Sequence, residues 1–589
     1  MTFVLPMSFS DLLLLLPEIL LTSWLCLLLI IDFSFPRLPN EQLAYFSIAG
    51  LVATLGCLAW FDYTGVTGTL FSNMFALDRM ALFFKMFIVG STILVILASI
   101  DYIHRFKFFR GEYYFLTVMS ALGMMFMASA NDLLSVFVAL EFSTLGFYVL
   151  VAYLREDTAS NEAGIKFFIL GIFAAGLLAY GISLVYGETG KLVFSDMTAA
   201  QATPGLVIGF LLIFGALGFK IGAVPFHSWI PDTYHGSPTP VTAFLSIAPK
   251  AAAFAILLRM FFVALATFKP IWALLLIAAS ILSMTYGNIV AIAQKNMKRL
   301  LAYSGIAQIG NILIGLATGT KMGSDALLFY LVTYLFANLG AFAIVIAVSE
   351  AIGSEEIDDY SGLGRRSPFL AFSMLIFLLS LAGVPPLAGF IGKLYIFVAA
   401  IKEGLYLLIA VGLINIVISM YYYLIVVKKM YVTEPHDRSP VKVSGPIKVV
   451  VYVCLIHTRD RGLSAARHGL GCFGHLGVFT LRRSHRISSR SPYGHSPRRL
   501  RSPGTALLCP VSILLRYFLQ GLSEEGTVST TLACISTSAT LELWNPSHRN
   551  VRPHPCDWNR FPTAIRHRFP RPANAWHGSP IGRSNDVSL

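Results

Sequence analysis

The sequence is short of charge. Asp, Glu, Lys and Arg make up 13% of its 589 residues, about half the share of a soluble domain. That scarcity excludes a water-facing surface over most of the chain. A cleavable leader is missing too: the apolar stretch 12–31 has no basic region before it and no Ala-x-Ala-like site after it, so it reads as a retained membrane span. Cysteine is sparse and scattered. Cys26, Cys57, Cys454, Cys472, Cys509, Cys534 and Cys556 form no Cys-x-x-Cys pair, which argues against an iron–sulfur or zinc site built from them. There is also no Gly-x-Gly-x-x-Gly or Walker A motif, and no nucleophilic-triad context. Any electrons involved are therefore expected to travel in other polypeptides.

Lysine disappears outright after residue 456. Residues 1–456 hold 26 Lys and Arg against 25 Asp and Glu, whereas 457–589 hold 18 Arg, no Lys and 6 acids. Nine of the 13 His also fall after 456. The net charge of +13 thus averages two unlike parts, and a nucleic-acid or anionic-lipid role for the basic tail is set aside. The expected division is a membrane domain over 1–456 and a disordered Arg-rich tail over 457–589, read as a frame-shifted translation of a GC-rich gene. A genuine disordered extension is the alternative.

What the first part does have is long apolar runs, each long enough to cross a bilayer as a helix. Thirteen complete spans are expected near 11–31, 43–61, 79–100, 113–130, 132–153, 163–186, 205–226, 239–266, 271–293, 300–318, 324–349, 369–400 and 404–427, with a fourteenth begun at Ile447 and cut after Ile456. Odd-numbered loops carry fifteen basic residues and even-numbered loops five. The positive-inside rule then places the odd loops in the cytoplasm and the N-terminus outside.

Ionisable groups at bilayer depth stand out, because each costs about 2.5–3.5 kcal/mol at a helix centre. Glu141 lies about nine residues into the fifth span, or ~13 Å deep at 1.5 Å per residue. Lys220 is on the seventh span, Lys250 near the middle of the eighth and Lys393 on the twelfth. Lys85 and Arg259, close to helix ends, read instead as side chains snorkelling to the headgroups. Pro225 follows Lys220, and Gly383, Pro385, Pro386 and Gly389 precede Lys393. Helices broken at membrane depth free carbonyls that only a protein-lined or hydrated cavity satisfies. Desolvation disfavours a charged lysine and a neighbouring carboxylate restores it, so the set suits proton transfer. A sodium or chloride path could use similar groups, and spacing alone does not separate them. His227, just past Pro225, is a further candidate for the proton path, while His235 reads as solvated.

Several runs resemble one family closely. VPFHSWIPDTYHGSPTPVTAFLSIAPKAAAFAILLRMF (224–261), NDLLSVFVALEFSTLGFYVLVAYLR (131–155), EAGIKFFILG (162–171), NIVAIAQKNMKRLLAYSGIAQIG (288–310) and SLAGVPPLAGFIGKLYIF (380–397) resemble the antiporter-like membrane subunits of respiratory NADH:quinone oxidoreductase (complex I), in their subunit N form. The stretch from Tyr234 to Thr242, Ala-Pro-Lys at 248–250 and a lysine at 393 separate it from the sister subunit M.

The resemblance implies an all-α, fourteen-helix fold with two inverted five-helix repeats, spans 4–8 and 9–13, broken at helices 7 and 12. It implies that Glu141 and Lys220 form a gating charge pair, that Lys250 is the central relay lysine and that Lys393 lies toward the periplasmic exit. It further implies a proton-pumping subunit in the bacterial inner membrane, part of an enzyme complex but without a redox centre of its own. FMN, iron–sulfur clusters and quinone would belong to partner subunits, and subunit M and the small membrane-arm subunits would be its neighbours. The rival readings are a subunit of a multi-subunit cation/proton antiporter and a scaffold whose buried charges only fix packing.

Overall fold

The computed structural model describes residues 9–105, 111–198, 203–434, 439–441 and 443–468, with side chains from 11 to 459. These residues are largely helical. The chain opens with α1 (Phe9–Leu14), α2 (Leu16–Ser34) and α3 (Asn40–Thr64). A small antiparallel hairpin, β1 (Gly68–Leu70) and β2 (Phe75–Leu77), leads to α4 (Arg79–His104), α5 (Gly111–Ser129), α6 (Leu133–Val151) and α7 (Thr158–Thr189). Next come α8 (Pro204–Ile221), α9 (Trp229–Gly236), α10 (Thr239–Leu245) and α11 (Ala248–Arg259), then α12 (Lys269–Ile292), α13 (Met297–Ala317) and α14 (Lys321–Ile352). The one-turn α15 (Leu363–Arg366) precedes α16 (Pro368–Ala382), α17 (Ala388–Lys402), α18 (Tyr406–Tyr431) and α19 (Gly445–His468). Among the described residues, 11 helical stretches are long and apolar enough to cross a membrane.

Polar residues set where these helices start. Asp78, Asp132 and Asp157 each accept a hydrogen bond from a backbone N–H in the first turn of α4, α6 and α7, and Asn296 does the same for α13. Such caps satisfy donors that a helix cannot satisfy itself. Lipid and protein faces then sort the rest. Ile165, Ile169 and Phe173 on α7, Leu274 and Ile289 on α12, and Ile414 and Val417 on α18 are exposed and form an apolar periphery. By contrast α13 is buried on all sides, and α10, α11 and α14 nearly so. The bundle therefore has an inner set of helices that meets only protein.

Two breaks interrupt the bundle, and they are built alike. α8 ends at Gly222, whose φ of 76° is left-handed, with Gly222 and Ala223 N–H both bonding the Gly218 carbonyl at 2.9 Å. α16 ends at Gly383, φ 87°, with Gly383 and Val384 N–H bonding the Leu379 carbonyl at 3.0 and 2.9 Å. Glycine takes this conformation without a Cβ penalty and closes the helix by satisfying its last carbonyls. A cis peptide follows each break, at Val224–Pro225 and at Pro385–Pro386.

Two expectations from the sequence need revision. The 239–266 stretch is not one unbroken helix: α10 and α11 are separated at Ile247 (φ −126°, ψ −68°). Pro249 explains it, because its ring lacks the N–H and clashes with the carbonyl four residues back. The last helix also does not stop at Ile456 but continues to His468. Only its first half is apolar, and Ile447, Val450, Val451 and Cys454 pack into the core, α19 lying against α14 and α17. The remainder of the Arg-rich tail, 469–589, lies outside the described residues.

Candidate functional site

Glu141 and Lys220 face one another across α6 and α8. The Lys220 ammonium, 8% exposed, donates to the Thr144 hydroxyl at 2.6 Å. Thr144 lies three residues after Glu141, so the two occupy one face of α6. The charges of Glu141 and Lys220 act on each other, yet among the described residues no direct ion pair joins them. Glu141 is half-buried and its Oε1 has no hydrogen-bond partner within the protein. Thr144 thus holds the lysine one step short of its carboxylate.

Lys250 occupies the first turn of α11, just after the break at Ile247. It is 1% exposed and its Nζ has no hydrogen-bond partner within the protein. The Tyr234 ring lies 5.7 Å from Nζ, within reach of a cation–π attraction. Gly305 on α13 opens the space beside it: a Cβ at Gly305 would lie 3.3 Å from Lys250 Nζ and 3.1 Å from Tyr334 Oη. Among the four candidate lysine and glutamate side chains, this is the amine least committed to a partner.

Lys393, on α17, is 3% exposed and donates to the Leu381 and Ala382 carbonyls at 2.8 and 3.1 Å. These are the last carbonyls of α16, freed by the break at Gly383. Gln308 on α13 shares the Leu381 carbonyl, donating at 2.8 Å. Its Oε1 accepts from the Tyr330 hydroxyl at 2.5 Å, and its amide faces the Tyr423 hydroxyl at 3.5 Å. Tyr423 in turn meets the Ser304 hydroxyl at 2.5 Å. Ser304, Tyr423 and Gln308 thus form a polar line along α13 that reaches the Leu381 carbonyl beside Lys393, and Lys250 approaches the same helix at Gly305.

His227 stands apart from this line. It lies in the α8–α9 break, half-buried, with its ring edge-on to Tyr286 at 4.5 Å. Among the described residues, no hydrogen bond or ion pair ties it to Lys220 or Lys250. His235 is exposed, as a solvated histidine should be, and partial burial, followed by Lys298 and Arg299, lowers its pKa from the ordinary histidine value.

Lys85 and Arg259 do not snorkel. Lys85 is wholly buried and pairs with Glu18 of α2, itself 2% exposed. Arg259 is 5% exposed and grips Asp78 with two bonds of 2.9 Å. Each cation had a carboxylate waiting on another helix, and a distant partner leaves no trace in local spacing. Gln308, Tyr330, Tyr334 and Tyr423 also escaped the sequence reading. A signal for part of this set existed: Ser304, Gln308 and Asn311 recur at helical spacing along one face of an otherwise apolar helix.

Broken helices that present buried lysines to an internal polar line define a class of ion-translocating membrane subunit. Residues 130–419 match the family described as NADH:quinone oxidoreductase/Mrp antiporter, TM. NADH-quinone oxidoreductase subunit N of Heliobacterium modesticaldum is 44% identical over 430 residues, which cover 72% of this chain and 90% of that relative. A chain in the structure of respiratory complex I from Thermus thermophilus with bound aureothin aligns at 32% identity and a TM-score of 0.67, covering 76% of this chain and 97% of that one. A chain of the Mrp complex from Dietzia sp. shares the fold, with a TM-score of 0.72 at 20% identity over 80% of this chain and 97% of its own. The chain belongs to the NADH-quinone oxidoreductase subunit N family.

Proposed function

We infer that this protein is a proton-translocating subunit of the membrane arm of complex I, coupling NADH oxidation and quinone reduction in partner subunits to proton export. The observation that carries the reading is Lys250: a wholly buried amine with no hydrogen-bond partner within the protein, set against the helix α13 that also carries the polar line to Lys393. A charge kept only for packing is expected to be paired, because an unpaired buried charge is costly. A relay needs the opposite, a group free to gain and lose a proton as its surroundings change.

In this reading Glu141 and Lys220 gate the channel, with Thr144 holding the lysine off its carboxylate. Lys250 receives the proton, and the Ser304–Tyr423–Gln308 line leads it to Lys393. Lys393 releases it on the periplasmic side, and His227 contributes at most from the edge of the path. The like construction of the breaks at Gly222 and Gly383 supports two inverted repeats, spans 4–8 and 9–13, within thirteen complete spans and a fourteenth. FMN, iron–sulfur clusters and quinone are assigned to partner subunits. Subunit M and the small membrane-arm subunits are the expected neighbours, in a bacterial inner membrane with the N-terminus periplasmic. Residues 457–589 are assigned to an out-of-frame translation. An uninterrupted frame through codon 456 on resequencing refutes that assignment.

Lys250→Ala tests the function. NADH-driven proton uptake is measured in inverted membrane vesicles, with assembly checked by native gel. Loss of pumping and of coupled quinone turnover in a fully assembled complex supports the relay; unchanged pumping makes the lysine structural. A requirement for Na⁺ or K⁺ would favour the antiporter reading instead.

A further inference from the structure

Lys298 lies outside the relay just described, yet its side chain is only 4% exposed. It pairs with Glu355 at 2.8 Å and donates to the Ser237 carbonyl at 3.0 Å. The same carboxylate oxygen of Glu355 accepts from the Thr239 hydroxyl at 2.9 Å. Glu355 itself keeps 21% side-chain exposure, so it meets water on one side and buried polar groups on the other. Backbone bonds fix it there: Met297 N–H bonds the Glu355 carbonyl and Ile357 N–H the Lys295 carbonyl, both at 2.8 Å. Two loops are thereby clasped around one carboxylate.

What lies behind the clasp is a row of hydroxyls. Thr239, Thr242 and Ser246 recur at i, i+3 and i+7, one face of α10. Ser237 and Thr242 hydroxyls meet at 2.7 Å, and Thr242 donates to the Tyr234 carbonyl at 3.1 Å. Tyr234 is the residue whose ring faces Lys250. Asn338 donates to the Ser246 hydroxyl at 2.7 Å, and Tyr334 to the Ser246 carbonyl at 3.4 Å. Tyr334 and Lys250 flank the same Gly305. From Thr239 to Ser246 the row spans ~10 Å of helix rise.

We propose that Glu355, held by Lys298, is the proton-collecting group at the mouth of an inlet that follows the polar face of α10 to Lys250. The proposal rests on the proton-translocation reading above. The proton arrives on the Glu355 carboxylate from water, passes to the hydroxyl row and reaches the Lys250 amine, which becomes an ammonium. The mouth lies on the side marked by the basic loops. Lys298 is a positioning residue: it keeps the carboxylate aimed at Thr239. The other titratable groups around Glu355 are His235, Tyr102 and Tyr360, with Arg299, Glu356, Asp157 and Asp359 acting on them or on Lys298. Burial, followed by Lys298 and Arg299, lowers the His235 pKa, and burial followed by Glu355 and Asp359 pushes the Tyr360 phenol well above its ordinary value.

The test compares Glu355→Gln, Glu355→Asp, Thr242→Val and Lys250→Ala in the assembled complex. NADH-driven proton uptake by inverted vesicles is followed from about pH 6 to about pH 8. Glu355→Gln is expected to lower coupled turnover ~tenfold or more at the alkaline end and less at the acid end, where protons are plentiful, while Glu355→Asp retains most of it. Thr242→Val keeps the Lys298–Glu355 pair and the Thr239 contact to Glu355 and is expected to show the same pH-dependent loss, so it decides the matter if Glu355→Gln fails to assemble. Wild-type pH profiles for both Glu355→Gln and Thr242→Val, beside an inactive Lys250→Ala, overturn the inlet while sparing the relay. A fully active Lys250→Ala overturns the relay itself.

Discussion

Lys85→Met removes one half of an ion pair whose side chains are 0% and 2% exposed. Glu18 would then be left buried without its cationic partner, with the Phe75 ring close to where the ammonium stood, 4.7 Å from its centroid. Removing one partner of such a pair costs about 3–5 kcal/mol, whereas replacing both by apolar groups is often neutral or stabilising by about 1–4 kcal/mol. The expected result is therefore asymmetric: a large loss for Lys85→Met, and recovery to near the parent stability when Glu18→Leu is added. Reversible unfolding of the purified subunit in mixed micelles, run as a double-mutant cycle, reads both values. Lys85→Met within about 0.5 kcal/mol of the parent, the range of an ordinary surface change, would refute the buried pair and restore the snorkelling lysine.

Three further variants probe other parts of the bundle. Gly305→Ala places a methyl 3.3 Å from Lys250 Nζ and 3.1 Å from Tyr334 Oη; proton uptake should fall, by as much as ~10²-fold if the amine is displaced by an ångström, with normal assembly on native gel. Gln308→Leu strands the Tyr330 hydroxyl and is expected to destabilise the subunit by about 1–3 kcal/mol in the same unfolding assay; an unchanged stability argues that Tyr330 finds another acceptor. Arg259→Lys keeps the charge but loses the two-bond grip on Asp78, so thermal inactivation of coupled turnover should begin at lower temperature, and an unshifted profile means a single contact suffices.

Most of the helices were legible, because an apolar run of bilayer length has few other uses. Among the described residues 11 helical stretches have the length and apolarity of a membrane span, and both breaks flanked by buried lysines occur where glycine and proline foretold them. The break at Ile247 follows from Pro249, but a proline near the start of an apolar run also fits the first turn of an unbroken helix, so the sequence alone does not separate the two. Lys85 and Arg259 were misread for a different reason. Their depth depends on carboxylates 67 and 181 residues away in sequence, and no local pattern encodes that distance. The single buried amines Lys220, Lys250 and Lys393 could be found from the sequence, but the polar line along α13 needed the structure, because hydroxyls and amides are unremarkable until they face one another.

The enclosure of α13 bears on how the subunit is made. Hydrophobic matching with lipid can place the peripheral helices one by one, but it has nothing to offer a helix that carries Ser304, Gln308 and Asn311 and ends wrapped by protein. During insertion these groups face acyl chains until α14, α17 and α18 arrive with Tyr330, the Leu381 carbonyl's partner Lys393, and Tyr423. Biogenesis of the bundle thus has a vulnerable interval that closes only when the C-terminal helices dock. A polypeptide released before α18 would present the cell's membrane quality control with an exposed polar stripe at mid-bilayer.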